Sequence, residues 1–251
     1  MSGLAVVMRK DLREAARSRS FWVGVAISVL VGAALCASLG QRLVVTIMRA
    51  SSLGQAVAAA EPLFGSILLS LAVTLMLLLS FYINSYSIVM EKVRRSLESL
   101  LSTPLGVTRI WMAKSLAIAL PSIVFGWLMS MLAAVALNLL FFLPQTGSVI
   151  LPGPAPLVAI LALAPIVILV LAAILSGLQL VLTNIRWINA IFMLAIIGLN
   201  VALSTASVMQ LGPGSWLAVL VLLGAVLVFG IAFYVLSRFV TAERIVLSSK
   251  S

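Results

Sequence analysis

Long uncharged apolar runs fill most of the chain, and they predict helices that cross a bilayer. The first, Phe21 to Leu39, is 19 residues without a charge. A hydrocarbon core about 30 Å thick takes about 20 helical residues at 1.5 Å each. Five more runs follow and give expected spans at about 63–83, 115–143, 157–182, 187–209 and 215–236. Pro62 suits the start of the second of these helices, Pro121 a kink in the third, and the uncharged turn-rich segment 144–156 a loop. Residues 41–61 read as a short connection. Segment 187–214 also fits a re-entrant hairpin, because its end is short and bounded by Ser204, Thr205 and Ser207.

Two stretches interrupt this pattern. In residues 1–20, Leu4, Met8, Leu12, Ala15 and Ala16 recur at helical spacing among Arg9, Lys10, Asp11, Arg13, Glu14, Arg17 and Arg19. That is the pattern of an amphipathic helix resting on the membrane surface. A basic start before an apolar run also opens a signal peptide, but this run is longer than such a region and five others follow it. The second interruption, 91–114, carries Glu91, Lys92, Arg94, Arg95, Glu98, Arg109 and Lys114. Its first half puts Val93, Leu97, Leu100 and Leu101 on one helical face, with Glu91/Arg95 and Arg94/Glu98 at i,i+4. Pro104 and Gly106 end that helix, and Thr108 suits the N-cap of the next.

The first run also contains a ridge of small residues, Gly24, Ser28, Gly32, Cys36 and Gly40, each four positions from the last. Such a ridge lets helix backbones approach closely, either as packing within one subunit or as a subunit interface.

Composition settles the class. Of 251 residues, 63% are hydrophobic and 9% charged, whereas about a quarter are charged in soluble domains. The formal net charge of +10 has no water-soluble segment on which to build a nucleic-acid-binding face, so no nucleic-acid partner is expected. The basic residues fall unevenly. With the N-terminus inside, Arg42 and Arg49 alone are external, while the other fourteen of 16 Lys and Arg lie in residues 1–20, 91–114, at Arg186 and in the C-terminal tail. The expected fold is therefore an all-α polytopic membrane protein with six transmembrane helices, both termini cytoplasmic, preceded by an amphipathic interfacial helix.

Candidate chemistry is sparse. There is no histidine, and Cys36 is the single cysteine, which leaves no intramolecular disulfide and removes the usual zinc ligand and serine-protease base. No cofactor or metal site is expected on this chain. No charged residue lies within an expected span, where proton-coupled transporters keep one. Asn138, Gln179 and Asn200 are the main polar residues there, either interhelical partners or lining for a transport pathway. Lys114-Ser115 imitates the end of a P-loop without its glycines, and Leu175-Ser176-Gly177-Leu178-Gln179 imitates an ATPase signature in mid-span without a second glycine. Any ATP driving this protein would be hydrolysed on another chain.

The run from Glu91 through Pro104, with Arg109-Ile110 and Lys114 after it, resembles the cytoplasmic motif of ABC-2 type transporter permeases. That family's pattern is a glutamate, Gly-Thr-Leu-Glu, Leu-Leu-x-Thr-Pro, and Gly-Lys opening the third span; Arg95-Ser96 stands here for Gly-Thr and Ala113 for the glycine before Lys114. The basic N-terminal segment is similar to the family's elbow helix. The resemblance covers about the first 120 residues by motif and the rest by topology.

It implies a permease subunit of an exporter in the cytoplasmic membrane. The implied partners are a second permease subunit, identical or not, and cytosolic ABC ATPase subunits that hold ATP and Mg. Residues 91–103 would be the coupling helix, with Glu91, Arg94, Arg95, Leu97, Glu98, Leu100, Leu101 and Pro104 as the coupling residues. Apolar spans and short external loops point to a hydrophobic or amphipathic substrate. Two other functions remain open at this point: an ATPase-independent membrane scaffold or regulator, and an intramembrane enzyme, which would need a nucleophile and base or paired acids in the membrane.

Overall fold

A computed structural model describes residues 3–49, 52–93, 106–181, 185–208 and 216–239, and every regular element among them is helical. The helices are α1 (Gly3–Arg17), α2 (Arg19–Met48), α3 (Leu53–Val93), α4 (Val107–Leu137), α5 (Pro154–Val158), α6 (Ala164–Val181), α7 (Ile185–Val208) and α8 (Leu217–Phe239). α4 runs on through a π turn, Asn138–Phe142, and a last helical turn, Leu143–Thr146; a second π turn, Ala159–Leu163, joins α5 to α6.

Among the described residues, five stretches are long and apolar enough to cross a membrane: Phe21–Met48, Val57–Asn84, Thr108–Thr146, Pro154–Gln179 and Leu217–Arg238. They coincide with five of the six expected spans. The sixth expectation, 187–209, falls on α7, a helix of 24 residues in which Met193–Leu203 is the described apolar stretch.

The helices alternate in direction, so the bundle has two distinct ends. Gly24 near the start of α2 meets Tyr82 near the end of α3, and Gly40 meets Phe141 at the end of the α4 rod. Gly65 of α3 lies against Pro156 of α5, and Gly177 of α6 against both Trp111 and Leu236. One end therefore gathers α1, the close of α3, the start of α4 and the closes of α6 and α8. Arg9, Lys10, Arg13, Arg17, Arg19, Arg109, Lys114 and Arg238 belong to it, and it is called the basic end below. The opposite, loop end carries Arg42, Arg49 and residues 147–153.

α3 is the central helix. It packs on α2, α4, α6 and α7, and 72% of its spanning window is buried, against 11% for α8 at the periphery. Apolar contact with lipid tails is as good as contact between leucines, so close fit and interhelical hydrogen bonds decide how such helices associate. The small ridge of α2 supplies the fit. Gly24, Ser28, Gly32 and Gly40 are buried and Cys36 half-buried; a Cβ on Gly24 would stand 2.7 Å from Tyr82 Cβ, and one on Gly32 3.3 Å from a Leu75 methyl. This face packs on α3 and on the close of α4.

Several boundaries differ from the sequence expectation. The connection expected over 41–61 is largely helical: α2 continues to Met48 and α3 begins at Leu53, so Pro62 lies inside α3. The alanines of 58–60 favour helix, and a rod that outruns the hydrocarbon keeps its turns where its flanks, such as Arg42 and Glu61, are exposed. Likewise the loop expected over 144–156 narrows to residues 147–153, with Gly147 at φ 67° closing the helical turn before it. α4 runs through Pro121 as one helix.

Each π turn ends two residues before a proline, Phe142 before Pro144 and Leu163 before Pro165. Proline has no N–H for the carbonyl four residues back, and a π turn re-registers the ladder at that point. In the second turn Trp127 Nε1 donates to Ile160 O at 3.0 Å.

α1 does not stand apart from the bundle. Ser18 breaks the helix, its Oγ accepting from Phe21 N at 3.1 Å as the N-cap of α2, and α1 folds onto the start of α4. The burial pattern of α4 records this. Val124, Leu128, Met131 and Val135 are exposed on one flank of its outer half, while Ile110, Ala113 and Ala117, at matching azimuths near its start, are buried. The helix expected to rest on the membrane surface thus spends its apolar side at least partly on protein.

Candidate functional site

Of the coupling residues suggested by the sequence, Arg94, Arg95, Leu97, Glu98, Leu100, Leu101 and Pro104 lie outside the described residues. Glu91 belongs to the last turn of α3. What the structure defines is the mounting on either side of 94–105. α3 has 41 residues, a rod of about 62 Å, roughly twice the hydrocarbon thickness. Its spanning stretch closes at Asn84, and nine further residues continue the same helix to Val93. The chain returns at Gly106, whose extended backbone (φ −63°, ψ 145°) precedes α4. The N-cap position is Gly106, so Thr108, expected to cap, sits in the first turn and is exposed.

The start of α4 is held by a buried polar cluster. Trp111 Nε1 donates to Ala173 O at 2.8 Å, with Ser176 Oγ at 3.1 Å. The Ser115 and Ser176 hydroxyls are 2.8 Å apart, and Ser115 also donates to Trp111 O at 2.9 Å. The Trp111 ring lies 5.1 Å from that of Phe233 on α8. Gly177 makes room for it, since a Cβ there would stand 2.9 Å from both Trp111 and Leu236. The segment that imitates an ATPase signature is therefore a seat for α4, its serine a hydrogen-bond partner and its glycine a clearance.

Trp111 and Lys114, at the start of α4, are buried at 1% and 2% exposure, because α1, α6 and α8 pack around that part of the helix. Sequence reasoning missed this cluster. The available signal was Ser176-Gly177, a small pair in an otherwise bulky run.

The three candidate pathway residues separate. Asn138 Oδ1 accepts from Ile150 N at 2.8 Å while its Nδ2 donates to Ile150 O at 3.1 Å and to Ala134 O at 2.9 Å, so it clamps the 147–153 loop to the bundle. Asn200 joins α7 to α3: its Oδ1 accepts from Thr74 Oγ1 at 2.6 Å, and its Nδ2 donates to Ile196 O at 3.0 Å. Both amides thus serve packing, and the interhelical Thr74–Asn200 bond is worth about 0.6 kcal/mol on average.

Gln179 differs, with its Oε1 buried and without a hydrogen-bond partner among the described residues, as are Asn84 Oδ1 and Ser28 Oγ. Helical spacing puts Asn84 on the side of α3 away from the α2-facing Leu75 and Tyr82, and Gln179 off the α4-facing Ala173 and Ser176 of α6. A buried oxygen without a donor costs about 1–3 kcal/mol. The basic end thus combines a well-bonded seat for α4 with two buried amide oxygens, of Asn84 and Gln179, that have no donor among the described residues.

No protein-family model matches the chain, and no curated protein or solved structure matches it either.

Proposed function

We propose that the chain is the permease subunit of an ATP-driven exporter of the ABC-2 type, six-spanning with both termini in the cytoplasm of a cytoplasmic membrane. The observation that carries the reading is the continuity of α3: the most buried helix of the bundle extends as one rod from Leu53 to Val93 and delivers Glu91 and the 94–105 stretch beyond its spanning segment. A push on that stretch reaches the core without crossing a hinge. The charge partition between the two ends supports the orientation, since the basic end takes the cytoplasmic side. The motif in 91–114 supports the partner class, cytosolic ATPases holding ATP and Mg, alongside a second permease subunit. The cargo of this reading is hydrophobic or amphipathic.

The test is coupling. Leu97→Asp and Glu98→Lys are expected to leave insertion and yield intact while abolishing substrate-stimulated ATP hydrolysis by the co-purified motor. Unaltered stimulation in both variants sinks the coupling role. Purification of the native protein in mild detergent with no ATPase chain beside it favours the scaffold reading instead.

A further inference from the structure

α1 runs from Gly3 to Arg17, and its polar side has an arrangement that neither helix packing nor transport requires. Arg9, Lys10, Arg13 and Arg17 fall within about 100° of azimuth at 100° per residue. All four are exposed. Glu14 is the described acid on that side, 4.0 Å from Lys10. Leu12 and Met8, on the other side, are half-buried, and α1 packs on α4. With Leu12 and Met8 partly on protein, the four cations face outward from the bundle, open to a partner outside it.

The position of the stripe says what that is. Beyond Arg17 the chain turns at Ser18, passes the exposed Arg19 and enters the apolar run of α2 at Phe21. Trp22 is 62% exposed and donates from Nε1 to Ala16 O at 3.0 Å, an amphipathic ring tied to the close of α1 at the depth where tryptophans collect in bilayers. The stripe therefore ends where headgroups begin. We infer that Arg9, Lys10, Arg13, Arg17 and Arg19 form a docking surface for anionic phospholipid headgroups, and that lipid bound there presses α1 onto the start of α4. The site depends on the chain spanning a membrane and is independent of whether it transports anything.

Native mass spectrometry of the full-length protein, released from an equimolar mixture of phosphatidylglycerol and phosphatidylcholine, tests this. The wild type is expected to retain phosphatidylglycerol preferentially. In Arg9→Gln/Lys10→Gln/Arg13→Gln/Arg17→Gln the preference falls at least about tenfold, each cation near an anionic surface being worth about fivefold. Arg42→Gln/Arg49→Gln, at the loop end, keeps it. Because the fourfold variant risks misfolding, the wild type is also washed in 1 M salt, where the Debye length drops to about 3 Å, and loses the anionic lipid selectively. No preference in the wild type, a preference that survives the four substitutions, or one indifferent to salt overturns the proposal. So does a variant that keeps its lipid but loses a co-purifying protein, which would make the stripe a protein-docking surface.

Discussion

Substituting Gly24 by alanine places a Cβ 2.7 Å from Tyr82 Cβ, an atom fixed to the backbone of α3 that cannot swing aside. The two central helices must then separate, at a cost of about 1–3 kcal/mol for an overpacked contact. Gly224→Ala on α8 meets nothing within 4 Å and is the matched control. Thermal unfolding in detergent should show a lowered midpoint for the first and none for the second. Asn138→Ala makes a different kind of damage, leaving the N–H and C=O of Ile150 without their partner in a residue only 4% exposed. Its expected effect is faster amide exchange at Ile150 and across 147–153, read by hydrogen-deuterium exchange, with α3 protection unchanged.

These residues also mark what the sequence disclosed. The glycine ridge of α2 was legible because its spacing is local. The enclosure of Trp111 and Lys114 was not, because it depends on three helices whose sequence separation from α4 carries no periodic signal.

Among the elements, α1 and α3 depart most from a reading of hydrophobic runs. The pattern located both helices, but an apolar run measures only the spanning part of α3, and its extensions at 53–56 and 85–93 are visible only as continuous helix. Similarly, an amphipathic segment has the same periodicity whether its apolar face meets lipid or protein, so the docking of α1 on α4 had no local signature. Leu12→Glu distinguishes the two settings by putting a carboxylate into a half-buried contact. It is expected to free α1, so that trypsin added to the basic side of sealed vesicles cleaves at Arg13 and Arg17 several times faster than in the wild type. The π turns, each ending two residues before a proline, leave no mark in the hydrophobic pattern.

At the scale of the molecule, the alternation of helices collects charge at one end and the Asn138-clamped loop at the other. The proposed orientation puts the loop end outside. In a Cys36→Ala background, the Ser148→Cys protein should react with a membrane-impermeant maleimide in intact cells, and the Thr108→Cys protein only after permeabilisation. Both positions are exposed, so the reagent reads sidedness rather than burial. The reverse pattern would invert the assignment of both termini.

The packing of α1 on α4 also bears on how the protein is made. α1 is synthesised before its partner, which begins at Val107, about 90 residues after Arg17. At about 5–20 residues/s, the ribosome takes roughly 5–18 s to deliver that partner. During that interval the apolar side of α1 has no seat in the protein, and α2 and α3 are already available to pair along the glycine ridge. α1 is thus made before α2 and α3 but seated only after those two can pair. A chain stalled before Val107 would hold a paired α2–α3 hairpin with a loose amphipathic leader, a species that insertion machinery or a quality-control protease could tell apart from the finished bundle.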